Sequence, residues 1–161
     1  MVKIDPVEKS VENRFLSTLN KIPESHWKGA TFEWHYSLNP LGIYHGLGPH
    51  GRYDDKNDIV KLRNTPQLQR RTIVHEIGHR VYNKVLTPAE REKWEKASVN
   101  EAPRMRQWGI EYFLPEELFA ELYADMFLPK TSLVSLGRLE SSTQTVFREI
   151  VKSHEQNLST Y

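Results

Sequence analysis

The chain has 161 residues, of which 38% are apolar and 27% are charged, a composition typical of a folded domain rather than a disordered segment. Its 22 Lys and Arg side chains nearly balance its 21 Asp and Glu side chains, so charge gives no reason to expect nucleic acid or a membrane surface as partner. The absence of Cys excludes disulfide bonds and thiolate metal ligands. Any metal site must therefore use His, Asp or Glu.

The N-terminal residues contain no apolar run long enough for a signal peptide, and no later stretch reaches the length of a membrane span. We therefore expect a soluble protein, either cytoplasmic or exported without a recognisable signal peptide. No shift in composition divides the chain, which predicts a single domain over residues 1–161. Nothing in the sequence decides the oligomeric state.

Periodic patterns predict five helices and a small sheet. The first part of the chain is predicted to contain a helix after Asp5-Pro6, a strand over 31–38 with Phe32, Trp34, Tyr36 and Leu38 on one face, a Gly-rich loop over 39–52 and a strand ending at Ile59–Leu62. The second part is predicted to contain a helix over 65–85, a helix opened by a capping box at Thr87, irregular chain over 98–114, a helix from Pro115 to before Pro129, and a helix over 143–157. They predict an α+β fold with a small, mostly antiparallel sheet over a helical layer.

The sequence His75-Glu76-Ile77-Gly78-His79 fits the pattern H-E-x-x-H. Residues four apart share one face of a helix, so both imidazoles can reach a single zinc ion, which suits His and carboxylate ligands. Glu76 can then accept the proton of an attacking water molecule. Apolar neighbours indicate a buried helix rather than a solvated face, and Gly78, which weakens a helix, suggests that another element packs close to it.

A third ligand is expected from a second helix, on which Glu117, Glu121 and Asp125 form one acidic stripe. Acidic residues usually lie on solvated helix faces. Like charges one turn apart repel unless a cation lies beside them, however, and zinc with its two His ligands would be such a cation. The stripe therefore favours a metal site with one zinc per chain.

These two blocks resemble the motifs of the zincin superfamily of metallopeptidases, in particular its gluzincin type. The greatest similarity is to the catalytic domain of anthrax lethal factor and the Pro-Pro endopeptidases. In those proteins HExxH is followed by a loop with a Tyr, a helix beginning E-x-F-A-E and a terminal amphipathic helix. The counterparts here are HEIGH, the 98–114 loop with Tyr112, the sequence ELFAE beginning at Glu117, and the last helix. The resemblance extends over about residues 50–158 and is specific in two short blocks.

The resemblance implies that Glu117 is the third zinc ligand and that Tyr112 donates to the oxyanion of the reaction. The Tyr of that family lies seven residues before the ligand, where this chain has Ile110, so Tyr112 is equally interpreted as a packing residue. A competing resemblance to the E-x-x-A-D block of other gluzincins makes Glu121 the ligand and Asp125 its support. In the first frame, which we favour, Glu121 supports a ligating imidazole.

Two classes of function remain open at this stage. The first is an endopeptidase that hydrolyses protein or peptide substrates, with the strand at Ile59–Leu62 as the sheet edge along which an extended peptide lies. The second is a zincin-fold regulatory or binding module with little or no general proteolytic activity. The second class would usually need an attached or cognate DNA-binding partner, and this chain has no helix-turn-helix signal of its own. We therefore expect neither nucleic acid nor a membrane as partner. His45 and His50, in the Gly-rich loop, could approach the cleft, but we interpret both as surface groups without a role in the site.

Overall fold

A computed structural model describes residues 8–36, 50–107, 109, 114–128 and 136–156, and over these residues the fold is α+β. Seven α-helices and one three-stranded sheet are present in this part of the chain. The elements are α1 (Lys9–Leu19), α2 (Glu24–Trp27), β1 (Thr31–His35), β2 (Gly51–Asp54), β3 (Ile59–Arg63), α3 (Arg70–Arg80), α4 (Pro88–Val99), α5 (Ala102–Gln107), α6 (Pro115–Phe127) and α7 (Ser141–Gln156).

The sheet has the strand order β1-β3-β2, with β1 parallel and β2 antiparallel to β3. The sheet is therefore mixed, and the prediction of a mostly antiparallel sheet was wrong, because β1 reaches β3 through a crossover and not through a hairpin. The predicted edge strand at Ile59–Leu62 was also wrong. That segment is β3, the central strand, with Val60 and Leu62 fully buried. Within the described residues, β2 is the edge strand next to α3.

The helices bury their apolar faces in one core. Helix α3 contacts β2 and β3 of the sheet as well as α1 and α6, while α4 packs against both α6 and α7. The capping box predicted at Thr87 is present, since the Thr87 hydroxyl accepts from the Glu90 N–H and the Glu90 carboxylate accepts from the Thr87 N–H. None of the described helices has the length and apolar character needed to cross a membrane.

Other boundaries differ from those predicted. Helix α3 begins at Arg70 rather than near Thr65 and continues into a π-helical turn at Val81–Val85. The 98–114 stretch is not wholly irregular, because it contains α5. Strand β1 ends at His35, so Tyr36 leaves the predicted apolar face and is 82% exposed.

Candidate metal centre

Helix α3 carries all three motif residues, and its burial explains why they hold fixed positions. Ile73, Val74 and Ile77 are fully buried between the neighbouring elements. His75 and His79 lie on the opposite side, where their side chains are 14% and 16% exposed. The helix therefore presents its two imidazoles to a cleft while its apolar side chains anchor it in the core.

Gly78 lies where α3 and α6 approach each other closely. A Cβ atom at this position would lie 2.9 Å from the Cα of Ala120 and 3.1 Å from the Cβ of Tyr123. The prediction that another element packs close to Gly78 is thus confirmed. This approach brings the first turn of α6 beside the two histidines. Pro115 occupies the first position of α6, where a missing N–H costs nothing, and acidic residues follow it at the positive end of the helix dipole.

The two imidazoles and Glu117 converge on one point. Nε2 of His75 and Nε2 of His79 are 3.2 Å apart. One carboxylate oxygen of Glu117 lies 2.9 Å from Nε2 of His75, and the other lies 3.1 Å from Nε2 of His79. The three side chains can each offer one ligand atom, all within 4.8 Å of one another.

A second carboxylate faces the far nitrogen of each imidazole. Nδ1 of His75 lies 2.9 Å from Oε1 of Glu121, and Nδ1 of His79 lies 3.1 Å from Oε1 of Glu116. The His79 contact is a hydrogen bond and the His75 contact is an ion pair by distance; a carboxylate at either position favours an imidazole that carries its proton on Nδ1. Both Nε2 atoms then present lone pairs to the same point, beside an anionic Glu117.

This donor set fits zinc. Two nitrogen ligands at the usual zinc distance and a tetrahedral angle are separated by about 3.3 Å, and the two Nε2 atoms here are 3.2 Å apart. Two imidazoles and one carboxylate leave one position of a four-coordinate ion open, as catalytic zinc sites require. The residues that would hold the ion are His75, His79 and Glu117.

Without a metal ion, the positive charge that balances the carboxylates around the two imidazoles would have to come from bound protons. Burial lowers the pKa of His75, but its contacts with Glu117 and Glu121 raise it more, to about 10. Burial likewise lowers the pKa of His79, and the carboxylates of Glu116 and Glu117 raise it to about 9. The two imidazoles hold the pKa of Glu117 far below its ordinary value. The cluster thus attracts positive charge, whether as protons or as a metal ion.

Glu76 is a buried carboxyl next to this cluster. Its side chain borders the cleft but is only 7% exposed, and burial raises its pKa above the ordinary Glu value despite the opposing charge of the nearby imidazoles. The main chain of β2 covers it at Gly51, where a Cβ atom would lie 2.7 Å from Cγ of Glu76. Only Gly permits the edge strand to come this close to the carboxyl.

The cluster lies in a cleft with a volume of about 640 Å³. Its walls are the edge strand, the exposed side of α3 and the start of α6, through the residues His50, Gly51, Arg52, Tyr53, Asp55, Thr72, His75, Glu76, His79, Leu114, Glu116 and Glu117. His50, interpreted from the sequence as a surface group, is thus a cleft residue. His45 and the predicted oxyanion donor Tyr112 lie outside the described residues.

Sequence reasoning missed Glu116 and Asn83. The Asn83 amide donates to Oε1 of Glu116 at 2.6 Å and to the carbonyl of His79 at 2.8 Å. Asn83 lies in the π-helical turn, a form of helix that often marks functional sites. The i, i+4 spacing of His79 and Asn83 was visible in the sequence, whereas the contact with Glu116 depends on how α3 and α6 pack.

Arg71 was missed as well, and it changes the interpretation of the acidic stripe. Its guanidinium lies 3.2 Å from the Glu121 carboxylate and 3.9 Å from that of Asp125. Part of the charge of the stripe is therefore balanced by α3 itself, without any metal. Arg71 precedes His75 by four residues, so its position on the same face of the helix was predictable.

Comparisons of the chain with protein-family models, curated proteins and solved structures found no match. The site is therefore interpreted from its own residues and their geometry.

Proposed function

We propose that this chain is a zinc-dependent endopeptidase of the gluzincin type, with one zinc ion bound by His75, His79 and Glu117. The observation that carries the proposal is the convergence of two Nε2 atoms, 3.2 Å apart, on the Glu117 carboxylate. The separate carboxylate at each Nδ1 atom supports it, because the same pairing orients metal-ligating histidines in other proteins. Glu121 then acts as a support and not as the ligand.

In this proposal, each side chain has a distinct part in peptide hydrolysis. A bound zinc ion would supply Lewis-acid activation of a water molecule and of the scissile carbonyl. A carboxylate oxygen of Glu76 accepts the proton that the water loses on attack and then passes it to the departing amine. Burial favours this role, since it raises the pKa of Glu76 toward the range in which a carboxyl both accepts and releases a proton.

The substrate in this proposal is an extended peptide that pairs with β2. The His50 carbonyl accepts from the Arg63 N–H at 2.8 Å, which makes this a hydrogen-bonded pair of the antiparallel ladder. Because hydrogen-bonded and non-bonded pairs alternate, Gly51 and Tyr53 turn their N–H and C=O groups away from β3, toward the edge of β2 with which no described strand pairs. Substrate main chain bound there would pass directly beside Glu76.

The test compares the unmodified protein with Glu76→Gln. We expect about one zinc per chain in both proteins, because Glu76 is not a ligand and Gln is nearly isosteric. We expect the unmodified protein to cleave members of an unbiased peptide library and the variant to lose most of this activity, since Gln cannot accept the proton. Zinc is measured by elemental analysis and cleavage by mass spectrometry. Glu92→Gln, on an exposed part of α4, is the control.

Three results would contradict this proposal in different ways. Absence of zinc from the purified, zinc-supplemented protein would reject the site. Zinc without any peptide cleavage would favour the alternative of a zincin-fold binding or regulatory module. Cleavage that persists in Glu76→Gln would assign the proton transfer to another group.

A further inference from the structure

Arg80, the residue after His79, connects the metal-binding helix to two other segments. Its guanidinium is buried and donates to the main-chain carbonyls of His26 at 2.7 Å and Lys28 at 3.2 Å. It also makes two bonds to the carboxylate of Asp58, from Nε at 2.9 Å and from Nη2 at 3.1 Å. Arg80 therefore fixes the end of α2 and the turn between β2 and β3 against the end of α3.

Asp58 also links Arg80 to the edge strand β2, through the side chain of Tyr53. The Tyr53 hydroxyl donates to Oδ1 of Asp58 at 2.7 Å, the same oxygen that accepts from Nε of Arg80. Asp58 has a positive φ of 53°, a conformation that Asp and Asn adopt more readily than most residues. Burial and the neighbouring Asp58 raise the pKa of the Tyr53 phenol well above its ordinary value, so the phenol remains a donor throughout the neutral range.

Tyr53 lies where the proposed peptide would bind. It lines the cleft, and its main-chain groups face the edge of β2 that is unpaired among the described strands, two residues from the glycine that covers Glu76. The side chains of Arg80, Asp58 and Tyr53 thereby join two segments that must act together in the proposed reaction. One is α3, which carries both histidines and the base, and the other is β2, which would hold the substrate.

We propose that Tyr53, Asp58 and Arg80 form a positioning chain that holds the substrate-binding edge of β2 at a fixed place over the metal-binding helix. The inference rests on the proposed peptidase function and deepens it by assigning positioning residues for substrate binding. None of the three residues is assigned a role in metal binding or proton transfer. Loss of the chain should therefore weaken peptide binding while zinc content stays unchanged.

Tyr53→Phe removes one hydroxyl from this chain and keeps the ring in the cleft. We expect KM for the best-cleaved library peptide to rise about tenfold, as for loss of a hydrogen bond to a charged group, with kcat within about twofold. Amide hydrogen exchange at residues 51–54 should become faster. The matched control is Tyr82→Phe, because the Tyr82 hydroxyl donates to the Glu95 carboxylate at 3.0 Å, and Tyr82 does not line the cleft. The control should change thermal stability to a similar degree and leave KM unchanged.

Asp58→Asn tests the link to Arg80, since Asn tolerates the backbone conformation and accepts from Tyr53 but lacks the charge that Arg80 binds. It should also raise KM and speed exchange at residues 51–54. Unchanged KM and exchange in both variants would overturn the proposed chain. Equal losses of kcat and bound zinc would overturn it too, because they would indicate general damage to the fold. If the unmodified protein cleaves no peptide, the peptidase proposal fails, and exchange at residues 51–54 alone decides the positioning chain.

Discussion

Gly78→Ala should destabilise the protein, although Ala normally strengthens a helix. At an open helical position the change gains about 1 kcal/mol. Here the new Cβ would lie 2.9 Å from the Cα of Ala120, on a backbone that cannot turn aside. Ordinary carbon contacts are about 3.5–4.0 Å, so α6 would have to move outward by roughly 0.6–1.1 Å. Overpacking costs about 1–3 kcal/mol, which leaves a net loss of about 0–2 kcal/mol.

Thermal unfolding and zinc competition would measure the two consequences of this change. A loss of that size lowers Tm by up to about 4–8 °C for a chain of this length. The outward shift of α6 also carries Glu117 away from the histidines, so zinc affinity should fall about tenfold or more. Gly137→Ala is the matched control, because a Cβ there meets no atom of the described residues within 4 Å. A Gly78→Ala protein with higher Tm and unchanged zinc affinity would refute this account of the helix contact.

Two further predictions concern the metal. Glu117→Ala should weaken zinc binding more than Glu121→Ala, and Asp125→Ala should have the smallest effect, because among these three residues only Glu117 approaches both Nε2 atoms. Chelator competition measures these affinities, and the reverse order would favour Glu121 as the ligand. Zinc affinity should rise with pH up to about 10, since His75 and His79, with metal-free pKa values of about 10 and about 9, must lose their protons to bind the ion. The metal-free fold should show the opposite trend in thermal unfolding, because raised His pKa values stabilise it fully below pH 6.5, and this contribution is lost as pH rises through 9 and 10. Affinity and stability that do not change with pH would contradict both expectations.

The short-range part of the site was readable from the sequence. Helical spacing alone places His75 and His79 on one face, and the cost of a helical glycine correctly indicated a close neighbour at Gly78. The contact between Glu121 and an imidazole was also expected, and the structure contains it at 2.9 Å. The first two inferences need only the geometry of a single helix, whereas the third followed from the resemblance that makes Glu117 the ligand.

What the sequence could not provide were the relations between elements. The alternation at Ile59–Leu62 predicts a strand, but it cannot tell a central strand from an edge strand, because strand order depends on pairing across the sheet. The support of His79 by Glu116 was hidden for the same reason, since it depends on the rotation of α6 about its axis. Arg71, one turn before His75, shows that some of these relations were within reach.

Trp94 shows how far the requirements of the site extend beyond the cleft. This fully buried residue of α4 donates from its indole N–H to the carbonyl of Pro115 at 2.7 Å, and its ring packs against Phe119 and Phe147. A shortened chain with only β2, β3, α3 and α6 would contain His75, His79 and Glu117. It would lose the hydrogen bond and ring contacts by which Trp94 holds the first turn of α6. The smallest transplantable version of the site therefore includes α4 and the face of α7 that packs on it.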